Sequence, residues 1–432
     1  MKMKSFLVII AGFMLALTAC TSNSDLVDAT SNYPKVPANF VKSQNLTGTL
    51  KGTLKQDSTY YLTGNVAVAK GDTLAIEAGA TIIAKGNFQF QISGTLLSLG
   101  TEAKQVTFTS QDASRFTDFA TYTGHWGGFV FDSTAVYVYV KYTHINFTGG
   151  PDSKGGAQAS FDVEGSQTYN GGANIIVEDC WFYGGVDDGI HLNGNITASI
   201  KRNVIQRLGG PDGETINVKK GVKGDIAYNY IWSAANNAIK LETGTVLVPQ
   251  TNMNIFNNTI VDCGYRKRGE AVNSILIDKW TRANVFNNLI VGNHTGINIT
   301  TAADTLNCKY GNNLIYCPAD SLSSLIYPLG AFSKKRTTDI TGSGLSLCNS
   351  VITTWAAPTT SLPDLTVEDG NNPSLPSNSP AIGKGITSAP FTYFITSLDG
   401  KKGTADVLNK DLGAYPTDNS GNKHLPTRKP AL

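Results

Sequence analysis

Two adjacent carboxylates and a histidine stand in Val186-Asp187-Asp188-Gly189-Ile190-His191. A carboxyl pair is what hydrolysis of a glycosidic bond needs, one group to protonate the leaving oxygen and one to activate water. The same stretch also reads as a turn, because Asp-Asp-Gly is favoured turn chemistry. A second set follows: Asn217 and Lys219, Lys240 and Glu242, Leu276 and Asp278. Lysines beside carboxylates suit β-elimination on a uronic-acid polymer. There Lys219 or Lys240 removes the C5 proton, and a cation such as Ca²⁺, held by carboxylates, neutralises the substrate's own carboxylate. A solvated face with neighbouring opposite charges is the plainer reading of these residues. The third set is aromatic. Trp232 and Trp280 offer rings on which the apolar faces of sugars stack, and Arg266-Lys-Arg268 could meet an acidic sugar.

What must position these residues is a repeat. Ile200-Lys-Arg-Asn203-Val-Ile205 returns as Ile226-Ala-Tyr-Asn229-Tyr-Ile231, Ile255-Phe-Asn-Asn258-Thr-Ile260, Val285-Phe-Asn-Asn288-Leu-Ile290 and Tyr310-Gly-Asn-Asn313-Leu. Ile176-Val-Glu-Asp179-Cys-Trp181 reads as a degenerate first copy. The marker residues, Asp179 to Asn313, are separated by 24, 26, 29, 30 and 25 positions, a period that points to stacked coils. Each phrase is short and β-branched, so it reads as a strand entering a turn. A second phrase lies between the copies, as Gly189-Ile-His-Leu192, Thr215-Ile-Asn-Val218, Ala238-Ile-Lys-Leu241 and Ser274-Ile-Leu-Ile277. Its alternation turns Ile and Leu inward and His191, Asn217 and Lys240 outward. Two or more strands per coil, stacked in parallel, make a β-helix. The asparagines are expected to form an inward ladder that satisfies buried turn amides, while Asn257, one residue outward, is expected to matter little.

The chain opens with a basic Met1-Lys-Met-Lys4 and an apolar run from Phe6 to Leu17, too short to span a bilayer as a mature helix. Leu17-Thr-Ala-Cys20 resembles a bacterial lipobox, which implies cleavage of residues 1–19 and lipidation of Cys20. Residues 20–45 read as a polar tether. The 35 Lys+Arg against 33 Asp+Glu become equal once Lys2 and Lys4 leave with the leader, so no nucleic-acid or anionic-membrane footprint is expected. Contact with the membrane is expected through the lipid alone, at the outer membrane or cell surface, and a monomer is expected. The remaining five cysteines form neither a disulfide framework nor a zinc pattern, and only Cys308 and Cys317 are close enough to suspect as a pair.

From residue 46 short strands alternate with glycine turns. Gly71-Asp-Thr-Leu-Ala-Ile-Glu-Ala-Gly79, Ile92-Ser-Gly-Thr-Leu96, Val106-Thr-Phe-Thr-Ser110 and Trp126-Gly-Gly128 resemble the opening of surface lipoproteins of the pectate-lyase-like superfamily, of Bacteroidetes type. Ser379-Pro-Ala-Ile382 and Asp411-Leu-Gly-Ala-Tyr415 are similar to its closing segment, with Gly383 where an Asp is often found. The resemblance implies an all-β fold, a right-handed parallel β-helix (a single-stranded solenoid) over 46–317. Residues 318–432 are then irregular rungs and a C-terminal cap of the same domain. The Asp187-Asp188 stretch resembles the acidic rung of polygalacturonase-type hydrolases, but their Asn-Thr-Asp, Gly-His-Gly and Arg-Ile-Lys do not occur in register. Two functions are therefore expected of different class. One is polysaccharide binding at the cell envelope, through Asn217, Glu242, Asp278, Trp232 and Trp280. The other is a polysaccharide lyase on Lys219 or Lys240 or, behind it, a hydrolase on Asp187, Asp188 and His191.

Overall fold

The computed structural model describes residues 34–112, 125–165, 173–210, 212–245, 248–265, 267, 272–357, 369–394 and 407–426. Within them the chain winds as a right-handed parallel β-helix with three short strands per coil. One coil shows the plan. Ile196–Lys201 lies in a first sheet, Val204–Gln206 in a second and Ile216–Val218 in a third. Each pairs in parallel with its counterpart one coil on, so Ile200 faces Ile226, Ile205 faces Ile231 and Ile216 faces Ile239. Near the start, the long strand Thr59–Val68 pairs with both Thr81–Ala84 and Phe90–Ile92 and so joins the second and third sheets.

The period-two pattern sends alternate side chains into the solenoid. Its N-terminal coils are filled with rings: Phe129 stacks on Phe161 at 4.9 Å and meets Phe108 and Trp126 edge-on at 5.0 and 5.4 Å. Later coils are filled by columns of Ile, Leu and Val such as Ile190, Ile216, Ile239, Ile275 and Ile297. Each such side chain gains about 1.5–3 kcal/mol by leaving water. A one-residue slip would turn the whole column outward, so register is strongly held.

The repeated phrase is a strand entering a turn, as expected, and the turn is a corner from which the next strand starts. Its first residues end a first-sheet strand and its last residues begin a second-sheet strand. Between them, Asp179, Arg202, Tyr228, Asn257, Asn287 and Asn312 adopt left-handed backbone, with φ between 51° and 57°. The next residue is the ladder. Asn229 Oδ1 accepts the Asn203 amide at 3.1 Å, Asn258 Oδ1 that of Asn229 at 3.0 Å, and Asn288 Oδ1 that of Asn258 at 3.1 Å. Each Nδ2 also donates to a carbonyl of an earlier coil, as Asn203 does to Val177. The first copy is displaced from the expected marker: Cys180, not Asp179, holds the ladder position, its amide bound to Asn203 Oδ1 at 3.0 Å. At the other end Asp339 extends the ladder by accepting the Asn313 amide.

After the last coil, Asp320–Leu325 forms a 3-10 turn and Ile340–Ser343 pairs with Leu314–Cys317. The carbonyls of Leu325 and Ile326 accept the amides of Gly296 and Ile297, which covers the exposed end of the third sheet. From residue 345 the chain does something the repeat does not announce: it returns along the outside of the second sheet. Second-sheet strands are apolar on both faces, as in Tyr230-Ile-Trp232 and Leu289-Ile-Val291. Their outer residues pack against Val351, Trp355, Leu408, Leu412 and Tyr415 of this strap. Asn257 and Asn287 hold it in place. Asn257 is fully buried and donates to the carbonyls of Asp411 and Gly413, and Asn287 to those of Ile386 and Asn409. The expectation that Asn257 matters little is therefore wrong, because an outward residue of the coil is an inward residue of the strap interface. The suspected Cys308–Cys317 pair is absent, and both thiols are free and buried.

Asn258→Leu strands corner amides and is expected to cost about 1–3 kcal/mol in a denaturant melt. Asn257→Gly keeps the left-handed backbone but loses both strap bonds. It is expected to cost a comparable amount and to expose residues beyond 345 to protease. A variant as protease-resistant as the parent would show that the strap is held elsewhere.

Candidate functional site

The outer face of the third sheet carries two polar columns. In one, register aligns Asp162, His191, Asn217, Lys240 and Leu276. In the other, Glu164 aligns with Asn193 and Glu242 with Asp278, and Lys219 reaches Glu242 from the intervening coil. The turns entering these strands add Asp187, Asp188, Glu214, Asn236 and Asn237 beside the first column. Sequence reasoning thus brought together residues that the fold does place side by side. It missed Glu214, which lies one coil beyond Asp188 at the equivalent position, and Asp162 and Glu164, which lie one coil before His191 and Asn193. The spacing of 26 from Asp188 and 29 to His191 was the available signal.

The columns are cross-linked by hydrogen bonds. Asp188 accepts the Glu214 amide at 2.6 Å and the Asn217 side chain at 2.7 Å, so both its oxygens serve the turn. Glu214 accepts from Lys240 at 3.1 Å and from Asn236 and Asn237 at 3.3 Å each. Glu242 lies between Lys219 at 2.8 Å and Lys279 at 3.0 Å. Asp278 accepts from Thr300 at 2.6 Å, and Lys267 is held by Asp212 at 2.7 Å.

These pairings decide the lysine chemistry. Burial works against the charge on Lys240, but Glu214 outweighs it and the ammonium's pKa is raised. A group held protonated is no base at neutral pH. Lys219 is locked to Glu242. Burial works against that carboxylate, but the two lysines outweigh it and hold its pKa at about 2. The expected lysine base is therefore unsupported here, and Glu242, occupied twice over, is a poor cation ligand. The acids behave in the opposite way. Burial, then Asp212 and Glu214, push Asp187 up to about 6, and burial with Glu214 raises Asp188 well above the carboxylate range. For His191, burial is outweighed by the hydrogen bond its Nδ1 donates to Asp162, at 2.8 Å, and by nearby carboxylates, so its pKa is raised.

Asp162, Glu164 and His191 present ligand atoms within 4.8 Å of one another. Two carboxylates and an imidazole would suit a divalent ion taking nitrogen and oxygen. Ca²⁺, which prefers oxygen alone, would use the two carboxylates with water.

The two tryptophans do not form one platform. Trp232 lies on the second sheet, only 7% exposed, and packs under the strap. It cannot stack a sugar there, so that expectation is corrected. Trp280 is 52% exposed and follows the third-sheet strand Ile275–Asp278 directly. Both Lys279 and Trp280 adopt positive φ, 44° and 61°, conformations that bulky residues avoid. Two such residues in succession, placing a tryptophan in solvent directly after Lys279, store strain of the kind found at binding sites. Arg266, Arg268 and Cys20 lie outside the described residues.

An aspartate raised from 3.8 to about 6 binds its proton more tightly in the folded state. Stability from this group is therefore full below about pH 4 and falls as pH rises towards 6. Asp187→Asn removes that fall. Its gain over the parent is expected to be larger at pH 7 than at pH 4, by on the order of 1–2 kcal/mol. Equal gains in denaturant melts at the two pH values would contradict the burial of this carboxyl.

Residues 46–137 match the model for a pectate-lyase like beta helix domain, and residues 168–315 match that for a right handed beta helix region. Together the matches cover more than half the chain. No curated protein matches it significantly. The matched domains point to polysaccharide-related function. The chain belongs to the pectate-lyase-like superfamily of right-handed parallel β-helix proteins.

Proposed function

We propose that this protein binds polysaccharide along the outer face of the third sheet, as a lipid-anchored protein of the cell envelope that captures glycan for breakdown. The observation that carries this reading is Trp280, exposed on a strained turn at the edge of a column of hydrogen-bonding side chains. An aromatic ring flanked by fixed polar groups is the usual make-up of a sugar subsite: the ring takes the apolar face and the polar groups take the hydroxyls. The strap covers the second sheet and leaves the third open. The tether is supported by Leu17-Thr-Ala-Cys20 behind an apolar run. Among the described residues no helix is long and apolar enough to cross a membrane.

Hydrolysis is the second reading, and one observation favours it. Asp187, held near 6, retains a share of its proton close to neutral pH, as a general acid must. The lyase reading loses ground because Lys219 and Lys240 are both held in ion pairs.

Trp280→Ala is expected to weaken retention in polysaccharide-containing native gels about tenfold, equivalent to about 1.4 kcal/mol, without lowering the melting temperature. Trp232→Ala is expected to do the reverse, since it empties the strap interface. If both variants bind as the parent does, the third-sheet face is not the site. Reducing ends released by the parent and lost in Asp187→Asn would replace binding with hydrolysis. For the tether, Cys20→Ala is expected to move the protein from the membrane pellet to the soluble fraction. Continued sedimentation after a salt wash would refute lipidation at this residue.

A further inference from the structure

The charge pattern of the third-sheet face bears on the kind of glycan it accepts, given that it is the binding face. Among the described residues, four of the lysines here are already matched. Lys219 and Lys279 share Glu242, Lys240 holds Glu214 and Lys267 holds Asp212. Three carboxyl groups are left over. Asp162, Glu164 and Asp278 have no lysine or arginine partner among the described residues, and Asp162 has only His191. Glu164 is exposed and Asp278 half-buried, both aimed outward along one column.

An ionised carboxylate accepts hydrogen bonds and cannot donate them. A row of such groups, with the ammonium donors already engaged, is matched to hydroxyl groups, which donate. It is mismatched to a polymer bearing a carboxylate or sulfate on each residue. Like charges brought together on a partly desolvated surface repel, and such repulsion is how an interface rejects a wrong partner.

We propose that the third-sheet face selects glycans without acidic groups, with Glu164 and Asp278 as the residues that exclude uronic-acid and sulfated polymers. This departs from the acidic polymer anticipated from Lys219, Lys240 and Arg266-Lys-Arg268 in the sequence. The reason is that the paired lysines are no longer available to a ligand.

The test is native affinity electrophoresis of the full chain in EDTA, with neutral polymers (galactan, arabinan, glucan and mannan) and acidic ones (polygalacturonate and alginate). At least one neutral polymer is expected to retard the parent, an effect lost in Trp280→Ala. Acidic polymers are expected to bind at least about tenfold more weakly, a gap of about 1.4 kcal/mol. Raising salt should narrow that gap, because screening shortens the reach of surface charge. Glu164→Gln combined with Asp278→Asn should narrow it as well, by strengthening retention in the acidic polymers. Tight binding of polygalacturonate in EDTA, lost in Trp280→Ala, would overturn the selectivity and leave the binding face standing. If no polymer of either class is retarded, or retardation survives in Trp280→Ala, the binding face itself is wrong. A double variant with unchanged selectivity would remove Glu164 and Asp278 from the role given them.

Discussion

A parallel solenoid must turn three corners in every coil, and the amides at those corners have no strand to pair with. The asparagine ladder answers this at the corner between the first and second sheets. Each side chain donates from Nδ2 to a carbonyl of the preceding coil and receives an amide of that coil on Oδ1. An unpaired buried amide costs about 1–3 kcal/mol, so a ladder running from Cys180 to Asp339 supports the coils that carry the polar columns from His191 onward. It also fixes the coil-to-coil register. Without that register His191, Asn217 and Lys240 would not be neighbours.

The same corner does a second job. The residue before each ladder position is left-handed and projects away from the coil, where a solvated turn would ordinarily be. Instead Asn257 and Asn287 hold the returning strap through its carbonyls. The strap in turn covers a sheet whose outer side chains are as apolar as its inner ones. A sheet buried on both faces reads as continuous hydrophobic sequence, and the second sheet does. The third sheet alternates, and it remains open to solvent.

That division of labour determines which side chains are free to meet a ligand. Trp232 and Trp280 are the same residue type on consecutive coils, yet one is interior and the other is presented on a strained turn. Lys219 and Lys240 are outward, yet each is held by a glutamate on the next or previous coil. In a parallel stack equivalent residues lie ~4.8 Å apart, so whatever faces outward is answered first by its neighbours in the column and only then by a ligand. The groups left over are carboxyls.

Much of this was legible in the residues themselves. Period-two alternation, a recurring asparagine and glycine-punctuated strands specify a stacked β-architecture, because they record backbone geometry repeated coil by coil. The outward columns were legible for the same reason, down to the alignment of Asn217 with Lys240. The degenerate first copy was misplaced by one residue, since a cysteine in the ladder position offers no asparagine to recognise. Glu214 and Asp162 went unnoticed because equivalence between coils depends on turn lengths that vary. Only the tertiary structure could decide which faces stay open. The strap has no periodicity to announce where it lies, and its apolar residues suit any uncovered sheet. Its docking on the second sheet buried Trp232, made Asn257 structural and left the third-sheet columns facing water.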